Sequence, residues 1–303
     1  MARTKGLTLL VDASSLIYRA LFSTPDSVVA PDGTPINAAH GFLGMLARLI
    51  GDRDPEFICC ATDEDWRPEW RVELIDTYKA FRAEEGSAQE EAEDLLSPQM
   101  PVLFDILEGC GIPVMGHPGC EAEDVIGSLA ERAPGPVEIV SGDRDLFQLV
   151  RDPKVKVLYP RRGVSQMDEV DETYIEERYG IPGRAYRDFA VLRGDPSDGL
   201  PGVRGIGEKL AASLLKTYGN LDAIVEAASG ESKQGVLIGK VRRDLDYVTR
   251  AAKVVAIPTD LPLPEIDLAR PRGEPEPSIL ALAERSGLEG ALRRLVAALN
   301  CPE

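Results

Sequence analysis

Five short apolar, β-branched runs, separated by longer stretches of helical period, leave this chain few folds to choose from. LTLLVD (7–12), EFICCAT (56–62), IPVM (112–115), PVEIVSG (136–142) and KVKVLY (154–159) are each bounded by glycine, proline or charge, as buried strands are. Between them, AAHGFLGMLARLI (38–50), MPVLFDILEG (100–109) and 121–133 repeat apolar residues every three or four positions. Alternating strands and helices pack as a parallel sheet covered on both faces, because each helix must bury its apolar stripe against the sheet. The expected architecture is α/β. After residue 170 the strand signals fade and helical stretches take over: DETYIEERYG, RAYRDFAVLRG, GEKLAASLLKTYG and a terminal LEGALRRLVAAL. The proline-rich 258–278 reads as an extended connector. The expected division is an α/β unit at 1–170 and a helical unit at 171–303.

In a sheet of this kind ligands bind beyond the carboxyl ends of the strands. Carboxylates stand at four of those ends. Asp12 closes the first run, Asp63 follows the second, Glu121, Glu123 and Asp124 follow the third, and Asp143 and Asp145 follow the fourth. Acids in the first turn of one helix would be explained by capping and the helix dipole. Agreement at four edges of one sheet points instead to a shared site.

Composition narrows what that site can hold. With 44% hydrophobic and 28% charged residues the 303-residue chain has the make-up of a folded protein, and no apolar stretch approaches the ~20 residues of a membrane span. The first apolar run meets Asp12 without a small-residue cleavage site, so it reads as a strand and a cytoplasmic location is expected. Five cysteines without a CxxC pair, and only two histidines, argue against structural zinc and against a histidine-dependent triad. Any metal must be bound by oxygen. A net charge of -17 argues against nucleic acid as a partner, yet residues 181–253 hold 12 basic against 9 acidic residues, a basic patch on an acidic chain.

Several carboxylates at one sheet edge repel each other, and divalent cations relieve that repulsion. Oxygen-only ligation without a twelve-residue calcium loop points to Mg²⁺ or Mn²⁺. Two such ions about 4 Å apart stabilise both the attacking and the leaving oxygen at phosphorus, which predicts phosphodiester hydrolysis. The stretch RGDPSDGLPGVRGIGEKLAASLL (193–215) supplies a complementary surface. Asp195 and Asp198 add two acids beside a turn of Gly202, Gly205 and Gly207, which runs into a helix opening with Glu208 and Lys209. Glycine lets backbone amides approach a phosphate, and Arg204 and Lys209 add positive potential, so the turn reads as a clamp on duplex backbone. By itself it would pass for a tight interhelical turn.

In order along the chain, LLVDASSLIYRALF, ATDED, YKAFR, GCEAEDVIGSLA, SGDRDLFQLV and GDPSDGLPGVRGIGEKLA make residues 7–260 resemble the 5′-nuclease family: the 5′-exonuclease domain of bacterial DNA polymerase I, phage 5′-exonucleases and flap endonucleases. With no polymerase segment following, it resembles a stand-alone member. The resemblance implies a PIN-like sheet, a helical arch or clamp near 66–98, and a helix-three-turn-helix near 185–220. It implies that Asp12, Asp63, Glu121, Glu123, Asp124, Asp143, Asp145, Asp195 and Asp198 form a cluster for two or more divalent ions. Lys79 matches the family's catalytic lysine and Arg82 its phosphate-contacting arginine. Tyr78 matches a residue that stacks on the terminal base, and Arg71 is placed with the DNA-binding set. K⁺ is expected at the helix-three-turn-helix, held by carbonyl oxygens.

The function so implied is a metal-dependent 5′-3′ exonuclease and flap endonuclease. It acts as a monomer on DNA flaps, overhangs, nicks or gaps, with RNA-primed ends a further candidate, in primer removal and repair. Two departures from the family stand out. Glu123 replaces a usual Asp, which is expected to shift one metal or favour Mn²⁺, and Gly199 replaces a common Asn. The acidic 83–98 segment is expected to be mobile without DNA. The alternatives are a PIN-like ribonuclease, against which the 202–209 turn and YKAFR count, and a non-catalytic DNA-junction binder, which would lack some of the acids. A haloacid-dehalogenase-type phosphatase needs a second Asp where Ser14 stands.

Overall fold

The computed structural model describes residues 5–230 and 235–301; the ends of both expected units, 1–4 and 302–303, lie outside the described residues. Six strands form one sheet: β1 (Thr8–Asp12), β2 (Phe57–Ala61), β3 (Val114–Met115), β4 (Val137–Val140), β5 (Val155–Pro160) and β6 (Met167–Val170), in the order β3-β2-β1-β4-β5-β6. The first five are mutually parallel, but β6 runs antiparallel to β5, so the sheet is mixed where an all-parallel one was expected. The MDEV of β6 is short, charged and mostly outside the core, as edge strands are, and gave no apolar run to find.

Alternation along the strands divides the interior into two layers. Leu9, Val11, Ile58, Cys60, Val140 and Leu158 face α1 (Ala13–Ser23), α2 (Asn37–Arg53) and α5 (Met100–Gly109). Leu10, Cys59, Ile139 and Val157 face α6 (Ala122–Arg132) and the helices that follow the sheet. Those helices are α7 (Glu172–Tyr179), α8 (Tyr186–Arg193), α9 (Glu208–Tyr218), α10 (Leu221–Ser229), α11 (Val236–Arg243) and α12 (Leu245–Val254). The last two, α13 (Pro277–Arg285) and α14 (Glu289–Leu299), were expected with them but pack on the opposite face, on α5 and α2. The physical reason is that Ala291, Leu292, Leu295 and Leu299 form a buried stripe on α14, each leucine contributing roughly 2 kcal/mol of burial, while the connector carries the chain across. It passes along β2, where Ile58 N donates to Leu268 O (2.7 Å) and Arg270 N to Glu56 O (2.8 Å).

The arch region is helical where the sequence showed only a break in periodicity. It comprises α3 (Glu69–Leu74), a 3-10 turn at Ala80–Ala83 and α4 (Ala88–Leu96), whose first turn is capped by the Ser87 side chain. Ala92 anchors α4 on the α1–α2 layer, which leaves its acidic side chains facing outward.

Candidate active site

β1 lies between β2 and β4, so the chain leaves it in one direction and later returns on its other side. That reversal opens a crevice at the carboxyl ends of the strands. The crevice has a volume of about 770 Å³, and Asp12, Asp63, Glu121, Glu123, Asp143, Asp195 and Asp198 line it together with Lys79 and Arg82. Residues from both units therefore meet in one place.

Each acid is fixed by its own backbone context. Asp12 is the last residue of β1 and caps α1, accepting from Ser15 N (2.9 Å), while its second oxygen accepts from Ser141 Oγ (2.5 Å). Asp63 accepts from Ala122 N (2.8 Å), which ties the β2 end to the start of α6. Glu121 caps α6 and takes part in a capping box with Asp124. Asp145 N donates to Asp143 (2.8 Å), and Asp195 accepts from Ser197 N (2.9 Å) and Arg193 Nη2 (3.2 Å). The tightest grouping is Glu123, Asp143 and Asp145, which bring one oxygen each to within 4.8 Å of one another.

Burial, helped by mutual repulsion, raises the pKa values of five acids here: Asp12, Asp63, Glu123, Asp145 and Asp198. Asp12 is pushed up to about 7, chiefly by burial and then by Asp63. Burial lifts Asp63, against the opposing pull of the Ala122 amide and Lys79, and lifts Asp198 to about 6 against the charges of Lys79 and Arg82. Glu123 and Asp145 are raised well above the carboxylate range, first by burial, with Arg71 opposing the rise at Glu123 and Asp143 adding to it at Asp145. A cation placed among them reverses that logic.

The cations stand among the acids. Lys79 Nζ pairs with Glu121, and this carboxylate with Asp198 and Glu123 more than offsets burial, holding the ammonium protonated. Arg82 Nη2 donates to Ser197 O (2.7 Å) and Asp198 Oδ1 (2.9 Å) and stays partly open to the crevice.

Three sequence-predicted residues sit elsewhere than expected. Arg71 is wholly buried; its guanidinium contacts Glu121 (2.6 Å), Glu123 (3.1 Å) and Asp124 (2.6 Å), so it is an internal counterion and not a surface group open to DNA. Tyr78 is also buried, donating its hydroxyl to Glu121 Oε1 (2.5 Å), and has no ring face free for a base. Asp124 is fully buried between Arg71 and the Glu121 amide and does not line the crevice.

Others were missed. Tyr18, Arg19 and Phe22 of α1 line the crevice, as do Trp66, Phe81 and Arg144. Arg19 Nε is buried with no hydrogen-bond partner among the described residues. Phe22 and Phe81 are exposed, at 64% and 47%, and both open onto this crevice. The spacing of Asp12, Ser15, Arg19 and Phe22 along one helix face was the signal that could have found them.

On the rim, α8 and α9 are joined through the glycine turn. Gly202 has φ 68°, and a Cβ there would lie 2.4 Å from Arg193 O, so only glycine allows this approach. Gly205 is likewise left-handed (φ 81°), and Gly207 precedes α9 without a side-chain cap, leaving the first amides of the helix open. Arg204 and Lys209 flank the turn and are exposed.

The chain matches two adjoining family descriptions: the 5′-3′ exonuclease N-terminal resolvase-like domain over residues 7–180, and the 5′-3′ exonuclease C-terminal SAM fold over 181–275. It is 49% identical over 301 residues to a 5′-3′ exonuclease of Streptomyces coelicolor, covering 96% of this chain and 100% of that one. A 5′-3′ exonuclease of Mycobacterium tuberculosis is 41% identical over 315 residues, covering 96% and 97%. Among solved structures, the T5 D15 protein co-crystallised with metal ions shares the fold, with a TM-score of 0.66 at 18% identity, over 97% of this chain and 98% of that one.

Proposed function

The chain belongs to the 5′-3′ exonuclease family, and from that premise we propose that it hydrolyses DNA phosphodiesters at 5′ ends and at the base of 5′ flaps, leaving 5′-phosphates. The observation that carries this reading is the Glu123–Asp143–Asp145 grouping, with oxygens within 4.8 Å; Glu123 and Asp143 line the crevice that also holds Lys79 and Arg82, with Asp145 buried behind them. An all-oxygen donor set of three converging carboxylates fits a hard divalent cation, Mg²⁺ or Mn²⁺. Asp12, Asp63, Asp195 and Asp198 line the same crevice, where they orient its waters or hold a further ion. When bound, such ions supply a water of lowered pKa and stabilise charge on the reacting oxygens.

The chain's own groups do the rest. Arg82, Arg19 and Lys79 bind the phosphate bearing the reacting bond and offset the negative charge that grows on it. Tyr18 and Phe22, with ring centroids 4.9 Å apart, offer the stacking surface that buried Tyr78 does not. The open amides before α9, with Arg204 and Lys209, hold the duplex backbone without reading its sequence. At that turn the Gly205 and Arg204 carbonyls accept from Lys240 Nζ (2.7 Å) and Arg243 Nη2 (2.9 Å), so part of the positive charge expected of K⁺ comes from α11 itself. Nicked, gapped and overhanging ends, including RNA-primed ones, present the same junction of duplex and free 5′ strand. The reading places the chain in primer removal and repair.

The test is cleavage of 5′-labelled flap DNA in Mg²⁺, Mn²⁺ or EDTA by the unaltered chain, Asp143→Asn and Lys79→Ala. Divalent-dependent cutting near the branch, little cutting by either variant and retained duplex binding are expected. Cutting in EDTA, or undiminished cutting by Asp143→Asn, would overturn the metal assignment. Preference for structured RNA would favour the ribonuclease alternative.

A further inference from the structure

Lys79 is one of two non-glycine residues with positive φ among the described residues, at 47°. A left-handed lysine is strained and persists only where its surroundings hold it. What holds it is the loop between α8 and α9. Lys79 N donates to Asp198 O (2.9 Å), and Thr77 Oγ1 donates to Gly199 O (2.8 Å). The two segments approach so closely that a Cβ on Gly199, itself at φ 70°, would lie 2.0 Å from Thr77 O and 3.0 Å from Thr77 C. Both obstacles are backbone and cannot swing aside. Glycine in place of the family's common Asn thus has a physical cause in this chain.

We propose that Thr77 and Gly199 are positioning residues, a clasp between the base of the arch and the 195–200 loop that fixes Lys79 in its left-handed form and so aims its ammonium into the crevice. The same loop runs on into the glycine turn at 202–207, so a duplex gripped at the turn is held in fixed register with Lys79. The clasp has no chemistry of its own. It acts through Lys79, and the inference rests on Lys79 being a phosphate-binding cation of the proposed nuclease.

Single-turnover cleavage of flap DNA by Thr77→Val, Thr77→Ser and Gly199→Ala tests it, with duplex affinity measured in EDTA and folding followed by thermal melts. Loss of the Thr77 hydroxyl in Thr77→Val is expected to slow cleavage roughly fivefold. Displacing the lysine in Gly199→Ala is expected to slow it roughly a hundredfold. Thr77→Ser, which keeps the hydroxyl, should retain the rate, and duplex affinity should hold in all three. If Gly199→Ala fails to fold, the Val and Ser pair still decides. Rates of Thr77→Val within twofold of the unaltered chain, or a loss of duplex affinity matching the loss of rate, would overturn the clasp. Full activity in Lys79→Ala would overturn instead the reading beneath it.

Discussion

Replacing Arg71 by alanine removes the cation at the centre of three buried carboxylates. Its Nη1 lies 2.6 Å from Glu121, its Nη2 lies 3.1 Å from Glu123 and 2.6 Å from Asp124, and its Nε donates to Val254 O (3.1 Å) on α12. Deleting one partner of a buried ion pair costs about 3–5 kcal/mol, because the remaining charge is left without water or counterion. Three acids share this arginine, but Glu123 and Asp124 are already raised by burial and lose the charge that opposes the rise, so they shed their charge and the cost does not triple. At roughly 2–4 °C per kcal/mol for a chain somewhat smaller than this one, the melting midpoint falls by about 10 °C. Circular dichroism melts in EDTA at pH 8, where the carboxyls are most nearly ionised, measure it. Arg71→Lys, which keeps one charge but loses the fork, should fall between. Well below the midpoint, duplex affinity should be unchanged. An Arg71→Ala protein that melts like the unaltered chain but loses duplex affinity would refute the counterion argument and return Arg71 to the DNA-binding surface.

Other consequences follow from the same contacts. Asp12 and Asp198 bind protons more tightly folded, with pKa values about 7 and about 6, than at their ordinary 3.8. The folded state therefore binds extra protons between about pH 4 and 7, and without metal its stability should fall as pH rises through that window. A melt series in EDTA from pH 5 to 8 should descend, with Mn²⁺ restoring the midpoint at pH 8; a flat or rising series would contradict the burial argument. Arg19→Ala should weaken cleavage by tenfold or more, the order expected for losing a charge-assisted contact to phosphate, while leaving melts within a few degrees; unchanged cleavage would remove Arg19 from the site. Tyr78→Phe, which deletes the bond to buried Glu121, should cost about 1–2 kcal/mol of stability, and Phe22→Ala should raise KM for flap DNA; the opposite assignment of the two effects would restore Tyr78 as the stacking residue.

The carboxylates were legible because a parallel sheet puts its strand ends on one edge, so acids far apart in the chain had only one place to meet. β6 was not, since an edge strand needs no apolar run. The amphipathic stripe of α14 announced that the helix is buried but not against what, and its seat on α2 depends on a connector whose path leaves no periodic signal. Arg71 and Tyr78 were misplaced for a related reason: matching a residue to a family motif says nothing about which way its side chain turns, and both turn inward onto Glu121. Gly199 stood out as a departure, yet its cause, the Thr77 carbonyl, lies 122 residues away in the chain and only the fold brings it near.

Anomalous diffraction at the manganese edge from crystals soaked in Mn²⁺ tests the central claim most directly. A peak within bonding distance of Glu123, Asp143 and Asp145 is expected, lost in Asp143→Asn. A crevice that binds no manganese while those three side chains keep their positions would contradict the account.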